Sequence, residues 1–325
     1  MQTPYRQTVL LCAMPRSGST WVAKILDTNR SVVYRHEPDT TERIAVPLVP
    51  LAPYSESDRA TVADFVARLS AAKPTRVTGK LPLFEKQYHS SLRRPLFGLG
   101  VYGAKLLSRG GIDVAIPDLV SRREWSDVTV VWKSIESVAR LGLVLAACDA
   151  LRVVHLLRHP CGHIASVLRG ERSGKFSASG ASSEDFAIFE MFADTPAYRR
   201  FELSPQRLRE MTAEERLAWR WALFNDKAID DNDGNPAYVQ LVYEELCADP
   251  VGVAQRLFEQ CELQWHEQSQ AFVAEDAQQD SEEFYSIKRD PAKAAAKWRK
   301  ELSEDQIERI LRVMQQTRSG ALFAQ

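Results

Sequence analysis

The sequence predicts an α/β fold: one domain, a mostly parallel central sheet, and helices on both faces. Three observations predict it. Residues 8–28 read as a strand, a sharp polar turn and a helix. Residues 151–168 repeat that order, and two such units in one sheet imply a doubly wound arrangement. Two further apolar runs, Val128 to Trp132 and Ala237 to Tyr243, have the length and β-branched content of buried strands. The 325 residues show no internal repeat and no composition break, so a single domain over 1–325 is expected.

Composition narrows the class. Hydrophobic residues make up 45% and charged residues 26%, ordinary for a soluble globular chain, and the net charge is −1. A generic nucleic-acid or membrane-surface binder is not suggested. The apolar run near Leu141 to Cys148 is far short of the roughly 18 residues that span a bilayer. Five scattered cysteines (12, 148, 161, 247 and 261) form no C-x-x-C pair, and the N-terminus carries no signal-peptide pattern. A cytoplasmic enzyme with reduced thiols is the expectation. No His/Cys/Asp cluster has metal-ligand spacing, so no metal is expected.

Taken in order, residues 8–13 are the first strand, and Pro15-Arg16-Ser17-Gly18-Ser19-Thr20-Trp21 is the turn into a helix over 19–28. Strand, tight loop and helix together make an anion site. The first helical N–H groups lack partners, and the helix dipole is positive there. Gly18 lets the backbone close around an oxyanion. Ser17, Ser19 and Thr20 add hydroxyl donors, and Arg16 adds a planar fork. The ATP loop G-x-x-x-x-G-K-[ST] is not matched: Leu11 stands four before Pro15, and Ser19 follows Gly18 where a lysine would be.

Val32 to Tyr34 is a short apolar stretch leading to Arg35-His36-Glu37-Pro38. Pro38 biases Glu37 to an extended conformation, which puts its carboxylate at a strand end. Residues 40–125 are the least regular part. Helical spacing over Ser57 to Ala72 with Ser57 or Asp58 as its cap, a strand over Arg76 to Pro82 and a mobile apolar segment over Leu96 to Leu107 are expected there. A variable region between core strands suits acceptor recognition or a lid. Val128 to Trp132 ends at Lys133, and Glu136 to Ala147 follows as a helix. Leu151 to Leu157 runs into Arg158-His159-Pro160 and a helix holding Ser166. Gly/Ser-rich 170–183 reads as a linker. Thr212 with Glu215 is a capping box opening a long helix to about Asp230, whose Trp219 and Trp221 read as core. Asp231 to Pro236 is a turn. Helices over Val251 to Gln260 and Ser303 to Met314 complete the chain, with a basic loop at Ser286 to Pro291 between them.

Several of these elements together resemble the sulfotransferase family, closest to its carbohydrate and tyrosyl-protein branches. Pro15 to Trp21 resembles the 5′-phosphosulfate loop. Arg158 with Ser166 resembles the element that holds the 3′-phosphate of the nucleotide. Val242-Tyr243-Glu244-Glu245-Leu246 resembles the Tyr-Glu-x-Leu strand end, and Ser286, Lys288, Arg289, Lys297 and Trp298 resemble the loop that closes over the adenosine. The resemblance implies a P-loop-like fold, 3′-phosphoadenosine-5′-phosphosulfate (PAPS) as donor with 3′-phosphoadenosine-5′-phosphate (PAP) as product, and no required metal. It also implies in-line transfer to a hydroxyl of a carbohydrate, glycolipid or other small molecule, with no nucleic-acid partner. Cofactor-binding positions are then Arg16, Ser17, Gly18, Ser19, Thr20, Trp21, Arg158, Ser166, Tyr243, Ser286, Lys288, Arg289, Lys297 and Trp298.

For the base, the resemblance favours Glu37, with His36 and His89 as alternatives. Strand alternation sets His36 and Glu37 on opposite faces, which argues against joint action. Lys133 resembles the strand-end lysine that supports the sulfonate. Arg16 stands where the cytosolic branch has a lysine, and an arginine stabilises charge without giving up a proton. A P-loop kinase or NTPase is the alternative class, and it lacks both its lysine and a Walker-type aspartate. A non-catalytic nucleotide-binding protein is the other alternative.

Overall fold

The computed structural model describes residues 3–71, 73–112, 114–173, 181–276 and 291–324. Five strands, β1 (Gln7–Cys12), β2 (Val32–His36), β3 (Thr129–Ser134), β4 (Leu151–Leu157) and β5 (Tyr238–Val242), form one sheet in the order β2-β3-β1-β4-β5. All four pairings are parallel. The strands that flank β1 are buried on both faces, which is why they read as continuous β-branched runs rather than alternating ones. Alternation still sorts them. Leu10, Val130, Trp132 and Val153 enter one core, and Val9, Leu11, Val131 and Val154 enter the core on the opposite face.

Chain order fixes the crevice. From β1 the chain crosses to β2 on one side, and from β4 it crosses to β5 on the other. The topological switch point therefore lies between β1 and β4, at the carboxyl edge of the sheet, where open α/β sheets take ligands. The first helix (Ser19–Asp27) packs against β1, β2 and β3, and the helix Pro160–Arg172 follows β4. The long helix Ala213–Asp231 begins with the expected capping box of Thr212 and Glu215 and buries Trp219 and Trp221.

Three local expectations are corrected. Residues 76–82 form no strand. Thr75–Thr78 is one helical turn after Pro74, whose carbonyl accepts from Val77 and Thr78. Leu96 to Leu107 lies within a regular 17-residue helix, Arg93–Arg109. Its Val101 and Ala104 pack with Ile116, Leu81 and Leu83 in a small satellite core, and that packing holds the helix despite its glycines. The helix Glu56–Arg68 is capped by Ser55, whose hydroxyl accepts from Asp58 N–H, rather than by Ser57 or Asp58.

Candidate active site

The loop after β1 is built on left-handed backbone. Arg16 has φ 74° and Gly18 φ 86°, and Gly18 is the residue before the first helical turn. A Cβ on Gly18 would lie 2.5 Å from Cε2 of Tyr243, so only glycine lets the loop pass under that ring. Ser17 and Ser19 are buried, and Thr20 is half-buried. Trp21 meets the Tyr243 ring edge-on at 6.1 Å, and its indole N–H is buried without a hydrogen-bond partner among the described residues.

The turn after β4 joins this loop. Arg158 donates from Nη1 to the Arg16 carbonyl at 2.8 Å and from Nη2 to the Ala294 carbonyl at 3.1 Å. Its guanidinium lies 5.0 Å over the Tyr243 ring, and its Nε is buried with no hydrogen-bond partner among the described residues. Arg16 in turn donates from Nε to Ser166 Oγ at 3.2 Å, and Ser166 also accepts from Arg169 at 3.3 Å. Arg169 is held by the Glu301 carboxylate at 2.5 Å. The residues expected at the two ends of a doubly anionic ligand thus share one hydrogen-bonded junction at the switch point.

Trp298 stacks on His159 with centroids 4.8 Å apart and planes 14° apart. Lys297 reaches Glu301 at 3.7 Å. Ser286, Lys288 and Arg289 lie outside the described residues. Glu244, the second residue of the Tyr-Glu-Glu run, accepts the His159 N–H on both oxygens at 3.1 Å and so shapes the β4 turn. Burial raises its carboxyl.

On the other side of β1, Lys133 and Glu37 form an ion pair at the ends of β3 and β2. The Lys133 side chain is 2% exposed and the Glu37 side chain 20%. Glu37 is not extended: its backbone is left-handed (φ 50°, ψ 50°), and it opens the helical turn Pro38–Thr41. Its N–H still donates to the Lys133 carbonyl at 2.8 Å, completing the sheet pairing, before the chain reverses. A non-glycine residue in that region carries on the order of 1–3 kcal/mol of strain. Here the ion pair and the ladder hydrogen bond hold it.

That reversal also corrects the expected separation of His36 from Glu37. His36 Nε2 stands 3.8 Å from Glu37 Oε1, and its Nδ1 is 2.7 Å from the Tyr34 hydroxyl. Burial first, then the cations of Lys133 and Lys80, push the imidazole down to about 2, so it is neutral at physiological pH. His89 is elsewhere. It packs between Tyr88 and Phe97, and its Nε2 lies 2.7 Å from the Asp118 carbonyl.

Asp39 has no counterpart in the sequence reading. It is buried beneath the pair and accepts from Ser134 Oγ at 2.5 Å, Ser137 Oγ at 2.8 Å and Trp132 Nε1 at 3.2 Å. It anchors the end of β3 on both sides of Lys133. The signal was an acid two residues past Glu37, with no spacing to mark its partners. Among the described residues, no three His, Cys, Asp or Glu side chains are grouped to hold a metal.

The site is thus an open parallel sheet with a cationic loop at its switch point and an acid–lysine pair at the ends of β2 and β3. The sequence profile described as the sulfotransferase family matches residues 8–267, and the chain belongs to that family. No curated protein sequence matches the chain. Among solved structures, it is similar to a sulfotransferase domain from the curacin biosynthetic pathway (15% identity, 97% of this chain and 99% of that one, TM-score 0.45). It is also similar to sulfotransferase STF9 from Mycobacterium avium (15% identity, 96% and 76%, TM-score 0.44). A third is retinol dehydratase in complex with androsterone and inactive cofactor PAP (15% identity, 97% and 81%, TM-score 0.38).

Proposed function

We propose that this sulfotransferase uses PAPS as donor and delivers the sulfuryl group to a hydroxyl of a carbohydrate, glycolipid or other small molecule. The observation that carries the reading is the junction of Arg16, Arg158 and Ser166. It joins a loop suited to one anionic end and a strand end suited to the other across the switch point. The residues fit such a nucleotide. The buried Arg158 Nε and Trp21 Nε1 are donors without acceptors, and Gly18 leaves room where a Cβ would collide. Ser17, Gly18, Ser19, Thr20 and Arg16 would hold the 5′ end, and Arg158 and Ser166 the 3′ end. Trp21, Tyr243 and Trp298 would line the nucleoside.

When bound, the donor supplies an activated sulfuryl group. The protein supplies position, charge and a base. Glu37, reachable at 20% exposure, takes the proton of the acceptor hydroxyl at its carboxylate. Lys133 holds positive charge at that point, and Arg16 does the same at the loop. Neutral His36 is the second candidate base, because it lies within 3.8 Å of Glu37. The helices of 40–125 would receive the acceptor, since Thr75–Thr78 packs on β2, the strand that ends at His36.

Thermal shift tests the donor. A ligand that binds only the native state adds about 2.7 kcal/mol at 100 times its Kd. PAP should stabilise the chain without metal, and ATP with Mg²⁺ should not. Stabilisation by ATP–Mg²⁺ alone would overturn the reading in favour of a kinase or NTPase.

A further inference from the structure

Of the ten large hydrophobic side chains that the described residues expose, seven lie between Leu92 and Ile112. Leu92, Leu99 and Leu106 are spaced by seven and are 75%, 71% and 68% exposed, with Leu96 and Tyr102 between them at 60% each. They form one stripe along helix 93–109, whose other side is fastened through Val101 and Ala104 to the satellite core. A contiguous exposed apolar stripe on a folded protein marks an interaction surface.

The charges on the helix select the partner. Helix 93–109 contains Arg93, Arg94, Lys105 and Arg109 and no acid, in a chain of net charge −1. Arg93 is held by Glu124 and Arg94 by Glu85. Lys105 and Arg109 form no ion pair among the described residues. A two-fold pairing of this face with a second copy would set against each other two helices that each carry four cations and no acid. An anionic lipid surface answers both the stripe and the charge. Gly98, Gly100 and Gly103 each face open space, which weakens a helix in water, where solvent competes for its backbone. A lipid interface removes that competition.

We propose that helix 93–109 is an interfacial membrane helix. It lies in the plane of an anionic bilayer, with Leu92, Leu96, Leu99 and Leu106 at the acyl boundary and Lys105 and Arg109 among the headgroups. It does not span: no described helix is long and apolar enough to cross. Helix 93–109 packs on Thr75–Thr78, which packs on β2, so the membrane face stands beside the strand that ends at His36. A lipid-borne hydroxyl is therefore the acceptor class, and this part rests on the sulfotransferase reading.

The test is sedimentation of the full chain with vesicles of phosphatidylcholine, with and without one quarter phosphatidylglycerol. The wild type should bind the anionic vesicles. Leu96→Ser/Leu99→Ser/Leu106→Ser should lose at least tenfold in apparent affinity while keeping its stabilisation by PAP. Lys105→Glu/Arg109→Glu, which leaves the stripe intact, should lose the preference for anionic vesicles. No binding by the wild type overturns the proposal. So does a triple variant that binds as well as wild type, or one that changes only the oligomeric state. Vesicle binding that persists while PAP gives no stabilisation overturns the donor reading and leaves the membrane helix standing.

Discussion

Glu37 and Lys133 are joined twice, side chain to side chain and Glu37 N–H to Lys133 carbonyl at 2.8 Å. The backbone bond places the residue at the edge of the sheet, and the ion pair aims its carboxylate at the cation. Glu37→Gln keeps the shape and removes the carboxylate that we propose as the base. Transfer should fall by roughly 10²-fold or more, while stabilisation by PAP stays at the wild-type value. Turnover near wild type in that variant would pass the role to His36, and His36→Asn would then be the variant that fails.

Asp39 makes a separate prediction. On the proposed mechanism it is a positioning residue that acts through β3. Asp39→Ala leaves three buried donors without an acceptor and should destabilise by on the order of 3 kcal/mol, read by chemical denaturation. Asp39→Asn retains part of the network and should lose less. Transfer should fall in both variants, with the substrate concentration dependence changed as well as turnover, because Lys133 lies between Trp132 and Ser134.

Two glycines separate tight space from open space. Gly18→Ala meets Tyr243 at 2.5 Å and sits at φ 86°, so it should destabilise by about 1–3 kcal/mol and weaken nucleotide binding. Gly98→Ala meets nothing within 4 Å inside a helix and should stabilise by about 0.5–1 kcal/mol. Thermal melts of the two should move in opposite directions.

Stability should also carry a histidine signature. His155 is buried between the Tyr238 hydroxyl at 2.6 Å and Asn225 Oδ1 at 2.9 Å, and burial pushes it down to about 4. Between pH 6.5 and about 4 the unfolded chain takes up the proton and the folded chain does not. Stability therefore falls as pH falls through that window, by about 1.4 kcal/mol per pH unit for this group. In His155→Gln the slope of unfolding free energy against pH should flatten by about that amount. An unchanged slope between pH 6.5 and 5 would show that His155 is protonated in the folded protein.

The sheet was legible because buried strands write themselves as short β-branched runs, and Val128 to Trp132 and Leu151 to Leu157 lie within two residues of the bounds of β3 and β4. The turn from β1 into the first helix was legible because its spacing is local. Glu37 was legible as a residue but not as a geometry. Strand alternation predicts opposite faces for His36 and Glu37, and a left-handed residue just past β2 cancels it. Asp39 was invisible, since its three partners are 93 to 98 residues away. Helix 93–109 was hidden by its own glycines, because local propensity speaks against a helix that tertiary packing holds.

Arg16 Nε and Ser166 Oγ are bonded at 3.2 Å, and Arg158 is bonded to the Arg16 carbonyl. On the donor reading, this makes the crevice a length gauge. The loop and the β4 turn are fastened to each other, so the distance between them is set by protein bonds and not by whatever occupies them. A nucleotide with its two anionic groups one bond closer or farther apart would satisfy one end only by breaking the strut. Short anions added separately to the two ends should then bind independently, each meeting a geometry that the other leaves unchanged.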